Sequence, residues 1–142
     1  QSLVLFSSFL VAAFSALRLA KFNLDVKQVK NFRGLPTPAN ALFIIALGFI
    51  SETNHTLPLQ DLVFNRIFLL STIAVSCFLL VSNISMFSLK FTTFALLENS
   101  LRYLFILASG ILLLIYGLPG LAGIIILYIL LSLLNDWSVK MP

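Results

Sequence analysis

The chain has 142 residues, of which 60% are hydrophobic and only 10% are charged, and its mean hydropathy is +1.07. Soluble domains carry roughly 25% charged residues, and a chain of this size cannot hide so many apolar side chains from water in one small core. The composition therefore excludes an ordinary soluble domain, and the net charge of +4 bears on membrane sidedness rather than on nucleic-acid binding.

Five apolar runs predict an all-α, polytopic transmembrane protein. The runs are long and continuous, as in membrane helices, and lack the alternation of barrel strands. The run at 36–50 is short, so it either crosses the membrane or re-enters on the same side. We treat residues 1–142 as part of a single membrane domain with a loop at 21–35. The predicted spans are 2–20, 36–50, 62–81, 101–116 and 121–134.

The positions of the cations favour five crossings. If every run crosses, eight of the nine Lys and Arg residues lie on one side and only Arg66 lies on the other. If the run at 36–50 re-enters, the split becomes six to three. Cytoplasmic loops of membrane proteins are enriched in cations, so we expect the loop at 21–35 to face the cytoplasm.

The chain begins at Gln1, directly inside an apolar run and without a charged region or a cleavage signal. We therefore expect it to be a fragment whose front end is missing. A cytoplasmic N-terminus of the whole protein would require an odd number of earlier spans.

One polar stretch, Arg18 to Asn40, interrupts the apolar chain and holds five of the nine cations. Arg18 and Lys21 are three residues apart and share a helix face. Such residues commonly anchor a span at the interface, and on composition alone that interpretation is favoured. The alternative is a clamp for phosphate or carboxylate groups, which arginine binds through its planar fork. Gly34 would allow close backbone approach, and prolines would fix the entry to the next helix.

The sequence also resembles a known family. The segments S-A-L-R-L-A-K-F-N (15–23), F-R-G-L-P-T-P-A-N-A (32–41) and V-S-N-I-S-M-F-S-L-K (81–90) are similar to the second half of the CDP-diacylglycerol–serine O-phosphatidyltransferases, the phosphatidylserine synthases. The resemblance covers nearly the whole chain. One departure is Lys21, where the family usually has arginine, so the charge is kept but the bidentate fork is lost.

The resemblance implies an integral enzyme of the bacterial inner membrane with its active site facing the cytoplasm. It would transfer a phosphatidyl group from CDP-diacylglycerol to L-serine, would use Mg²⁺ or Mn²⁺, and would form a homodimer with about eight spans per chain. The family's aspartate signature, D-G-x-x-A-R followed after eight residues by G-x-x-x-D-x-x-x-D, does not occur in the 142 residues. We therefore expect the catalytic and metal-binding residues upstream, and expect the fragment alone to be inactive.

These 142 residues are expected to supply a scaffold and a substrate-binding wall. The cations would meet the serine carboxylate and the phosphates of CDP-diacylglycerol, and the glycine and prolines would shape the wall. Glu98, Asn99 and Arg102 are interpreted as an interfacial cap rather than as ligands. The candidate substrate-binding residues are Arg18, Lys21, Asn23, Arg33, Gly34, Pro36 and Pro38.

Two alternatives stay open. The first is another CDP-alcohol phosphatidyltransferase with a different acceptor alcohol. The second is a non-enzymatic membrane module, such as half of a transporter or an assembly subunit. Transporters often place charges or broken helices near the bilayer midplane, and the predicted spans contain almost no such charge.

Overall fold

The computed structural model describes residues 2–24, 32–52, 60–86 and 99–140. Within these ranges the chain is mainly helical, which confirms the all-α prediction, and it contains one very short antiparallel strand pair. The elements are α1 (Ser2–Leu24), β1 (Phe32–Arg33), α2 (Thr37–Glu52), α3 (Gln60–Phe64), α4 (Arg66–Val81), β2 (Ser85–Met86), α5 (Ser100–Tyr116) and α6 (Gly120–Lys140).

The predicted apolar runs match the helices to within two residues at each end, apart from three differences. The third run is divided at Asn65, whose Oδ1 accepts a 2.9 Å hydrogen bond from the N–H of Ile67 and so caps the start of α4. α1 continues to Leu24, and α6 continues to Lys140, beyond the predicted stop at Asn135. The strand pair was not predicted.

The turn between α5 and α6, at Gly117–Gly120, depends on its glycines. Gly117 has φ +61°, and its N–H donates to the carbonyl of Leu113 at 2.9 Å, which closes the end of α5. At Gly120 a Cβ would come within 2.6 Å of the Leu112 carbonyl oxygen. The two helices therefore pack closely right at their connection.

α4 and α6 organise the packing. α1 lies against α4, whereas α2 and α5 lie against α6. The core next to β2 joins Leu35, Leu79 and Met86 to α5 and α6, where the rings of Phe105 and Tyr128 meet edge to face at 5.9 Å. A second core cluster lies between α2, α3 and the start of α6. Leu35, at the entry to α2, is thereby held next to the end of α4.

Two helical segments, Leu5–Leu24 and Gly120–Trp137, are long and apolar enough to cross a membrane. α2 and α4 have 16 residues each and α5 has 17, giving lengths of roughly 24–26 Å against a hydrocarbon core of about 30 Å. Five spans thus remain a prediction.

Candidate functional site

The end of α4 is the point at which the polar stretch meets the rest of the chain. The last carbonyls of a helix have no partner within it, and here residues from elsewhere supply the donors. The carbonyl of Leu79 accepts from the N–H of Leu35 at 2.9 Å and from the Ser82 hydroxyl at 3.0 Å. The carbonyl of Val81 accepts from Nζ of Lys21 at 2.9 Å. We call this arrangement the α4 cap.

Gly34 fits the α4 cap because it has no side chain. Its φ is +74°, and its N–H donates to the carbonyl of Ile84 at 2.8 Å. A Cβ at this position would lie 2.9 Å from the carbonyl oxygens of both Leu80 and Ser82. The close approach expected of Gly34 is therefore present, and the surface that it approaches is the end of α4.

Lys21 reaches the same helix end from α1. In addition to its bond to Val81, its Nζ donates to Oδ1 of Asn83 at 2.7 Å. A cation is favourable at a helix C-terminus because it meets the negative end of the helix dipole. Two of the three ammonium donors are thus committed to protein atoms, and the side chain remains exposed.

Arg18 lies one turn before Lys21 and is half-buried. Its Nε is buried and has no hydrogen-bond partner among the described residues. Arg18 therefore combines a charge with an unused buried donor, which suits the capture of an anion.

The remaining candidate residues occupy the rim. Asn23 is exposed near the end of α1, and Arg33 is exposed on β1, where it pairs with Ser85 of β2. Pro36 is half-buried and Pro38 is exposed at the entry to α2. Lys21 and Gly34 thus bind at the same helix end, and Arg33 is the residue next to Gly34. No described hydrogen bond joins Asn23 or Pro38 to that helix end.

Part of the predicted loop lies outside the described residues. This applies to Lys27 and Lys30 of the polar stretch and to residues 87–90 of the third family-like segment.

Asn83 and Asn40 were not among the sequence candidates. Asn83 binds Lys21, and its signal would have been a lone amide just past the end of an apolar run. Asn40 is 2% exposed, and its Oδ1 has no partner within the described parts of the chain. A lone amide in the first turn of an apolar helix can be recognised in the sequence as a candidate site residue, because a polar side chain that is buried there normally has a partner.

Arg102 is bonded through Nη1 to Oδ1 of Asn99, and Asn99 is 1% exposed at the start of α5. This pairing is local to the start of α5, Glu98 lies outside the described residues, and the interfacial cap stays a prediction.

The described residues do not fit the divalent metal that the resemblance implies. No three His, Cys, Asp or Glu side chains come together in residues 2–24, 32–52, 60–86 and 99–140. The acids in these ranges, Glu52, Asp61 and Asp136, lie on three separate helices. We therefore derive no chemical step through a metal.

Among the described helices, a cavity of about 390 Å³ lies between α2, α3, α5 and the start of α6, and one of about 320 Å³ lies between α2, α4 and α6. A larger cavity, of about 600 Å³, separates α1 from α2 and is also lined by α4.

Comparison of the chain with protein-family models, with curated proteins and with solved structures finds no match.

Proposed function

We propose that this chain is the C-terminal part of a membrane enzyme that transfers a phosphatidyl group from CDP-diacylglycerol to L-serine. The observation that carries the proposal is the meeting of three separate sequence segments at the α4 cap. Residues 15–23 and 32–41 each bond to the segment that begins at Val81, through Lys21 and through Gly34. These are the segments that resemble phosphatidylserine synthases, and a shared site would explain why they converge.

The reaction needs cations at the place where the anionic groups of the two substrates meet. Serine brings a carboxylate, and CDP-diacylglycerol brings a pyrophosphate. Arg18 supplies a charge with an unused Nε, Lys21 keeps one ammonium donor beyond its two bonds, and Arg33 is exposed next to Gly34. In the reaction, the serine hydroxyl oxygen bonds to the β-phosphorus, its proton passes to a base expected in the upstream part of the protein, and the phosphorus–oxygen bond to CMP breaks. The role proposed for this chain is to bind and orient those groups.

The proposal also places the chain in a membrane. Apolar side chains point outward from α1 and α5, including Phe6 at 71% and Leu114 at 88% exposure. Such surfaces are unfavourable in water and favourable in lipid. We propose five spans, with the polar stretch on the cytoplasmic face of a bacterial inner membrane and with two chains per enzyme.

The test is an assay on the complete protein that carries this chain. Purified in detergent with CDP-diacylglycerol, it should release CMP only when serine and Mg²⁺ or Mn²⁺ are both present. Release with another alcohol but not with serine would keep the reaction class and replace the acceptor. No release with any alcohol, although the upstream sequence contains the aspartate signature, would overturn the proposal.

A transport or assembly role gives the opposite result. Reconstituted complete protein would move a solute across vesicles, or would be needed for the assembly of a complex, without releasing CMP.

A further inference from the structure

The 600 Å³ cavity is a groove lined by α1, α2 and α4, with two further residues from α3. α1 and α2 both lie against α4, and the groove separates them. The α1 wall carries Ser8, Ala12 and Ser15, the α2 wall runs from Thr37 to Ser51, and α4 lines the groove from Leu69 to Ser76. Small side chains on both walls keep the groove open.

The groove is too narrow for another helix. From Thr37 to Ser51 the wall rises roughly 21 Å at about 1.5 Å per residue, so a volume of about 600 Å³ gives a mean cross-section of roughly 30 Å². An α-helix with its side chains is about 10–12 Å across, or roughly 80–110 Å² in section. A single hydrocarbon chain fits this section, and the volume lies within the roughly 300–1,000 Å³ usual for small-molecule sites.

Two of the polar residues that line the groove have hydroxyls bonded within their own helices. At the end near the start of α1, the Ser8 hydroxyl donates to the carbonyl of Leu5 at 2.6 Å, and the Ser51 hydroxyl donates to the carbonyl of Gly48 at 2.6 Å. Hydroxyls bonded within their own helix leave an essentially apolar wall. This end of the groove therefore suits hydrocarbon.

The opposite end differs because it contains Asn40. This residue lines the groove from the first turn of α2, is 98% buried and has an Oδ1 without a partner among the described residues. A carboxamide oxygen is an acceptor only, so a matching ligand must bring a donor to this end. The last torsion of asparagine is broad, which lets the amide turn toward such a group.

We infer that the groove between α1 and α2 binds a single-chain lipid with a free hydroxyl, of the monoacylglycerol or lysophospholipid type. The acyl chain lies along the apolar walls toward Ser8 and Ser51, and the hydroxyl donates to Oδ1 of Asn40. CDP-diacylglycerol lacks this combination, because both glycerol oxygens next to its two chains are esterified. The inference depends on membrane embedding but not on phosphatidyl transfer, so its test can fail independently of the proposed enzyme activity.

Gly48 offers a way to fill the groove without disturbing the helix. It lines the α2 wall, and a Cβ there would meet nothing within 4 Å. Leucine also has the higher helix propensity, so Gly48→Leu should fold and place its side chain in the lipid's path. Gly110→Leu is the matched control, because Gly110 lies within α5, has the same open surroundings and is not part of the groove.

The experiment measures binding of radiolabelled 1-monooleoylglycerol to the complete protein in phosphatidylcholine nanodiscs. We expect about one molecule per chain, at least tenfold weaker binding for Gly48→Leu, and a change of less than about twofold for Gly110→Leu. Ala12→Phe, on the α1 wall, should cause the same loss as Gly48→Leu. Unchanged binding in both wall variants would overturn the proposal.

The hydroxyl is tested with methyl oleate, which has the same chain but no donor. One hydrogen bond should make monooleoylglycerol bind about three- to tenfold more tightly than methyl oleate, and Asn40→Leu should abolish that preference. If monooleoyl lysophosphatidylcholine binds as tightly as monooleoylglycerol, the donor is the glycerol hydroxyl beside the acyl linkage, and the headgroup lies outside the groove. Equal binding of methyl oleate and monooleoylglycerol to the unmodified protein would overturn the role of Asn40.

Discussion

Nζ of Lys21 donates a 2.7 Å hydrogen bond to Oδ1 of Asn83, which lies 62 positions later in the chain. The same nitrogen binds the Val81 carbonyl at the end of α4. Lys21 therefore connects α1 to α4, and any function in substrate binding has to be compatible with this structural one.

The first prediction separates these two functions. Removing the ammonium in Lys21→Met leaves the end of α4 without its cation, and we expect the free energy of unfolding to fall by about 1 kcal/mol. In Asn83→Leu the free energy of unfolding should fall by less, because Lys21 keeps its bond to the Val81 carbonyl. The double variant should show a coupling of about 0.5 kcal/mol or more between the two residues, measured by unfolding in mixed detergent micelles.

Activity of the complete enzyme then tells the functions apart. If Lys21 also binds substrate, Lys21→Met lowers kcat/KM far more than Asn83→Leu, which leaves the charge in place. Equal losses in both variants would mean that Lys21 serves only to hold the helices together.

The second prediction concerns Arg18. Arg18→Ala removes the half-buried guanidinium, and loss of a charged hydrogen bond to substrate should lower kcat/KM by roughly 10- to 150-fold while membrane insertion stays the same. Arg66→Ala is the control, since Arg66 is exposed at the start of α4, far along the helix from the α4 cap. Unchanged kinetics together with altered topology would show that Arg18 is an anchor.

The third prediction uses two glycines that both have a positive φ. Gly34→Ala combines an unfavourable φ of +74° with a Cβ placed 2.9 Å from carbonyl oxygens, and should cost about 3 kcal/mol or more. Gly117→Ala has φ +61° but open space around it, so only the backbone cost of about 1–2 kcal/mol applies. Unfolding midpoints measured in one detergent check the order. Equal losses would argue against the tight contact at the α4 cap.

The fourth prediction tests the division between α3 and α4. Asn65→Ala removes the side chain that accepts from the N–H of Ile67, and should reduce the free energy of unfolding by about 1 kcal/mol. Asn65→Asp keeps an acceptor and should be nearly neutral. If both substitutions are neutral, the helices join without a stabilising cap at this position.

Most of the fold could be predicted from the sequence because long apolar runs indicate helices directly. It did not reveal the division at Asn65, since the apolar run continues on both sides of that residue. At the site, Gly34 could be recognised as a point of close approach. The surface that Gly34 contacts could not be recognised, because it consists of backbone carbonyls, which have no sequence signature.

The same limit applies to Lys21. Composition alone favoured an interfacial anchor, and the residue does bind at a helix end, but its partners are 60 and 62 positions away. Only the packing of α1 against α4 brings them into range. For Asn40 the opposite holds. The amide can be seen in the sequence of an apolar helix, but its burial, which makes it a candidate site residue, is seen only in the structure.

The α4 cap also sets an order of assembly. Chains are made from the N-terminus, so α1 and the entry to α2 exist before the carbonyls of Leu79 and Val81 that they satisfy. Closing a loop of about 60 residues costs entropy that local helix formation does not. The α4 cap therefore forms late. Until then the ammonium of Lys21 and the N–H groups of Gly34 and Leu35 donate hydrogen bonds to water. Ribosome-stalled chains ending before Val81 should leave Lys21 open to amine-reactive reagents, and chains that extend well past Met86 should protect it.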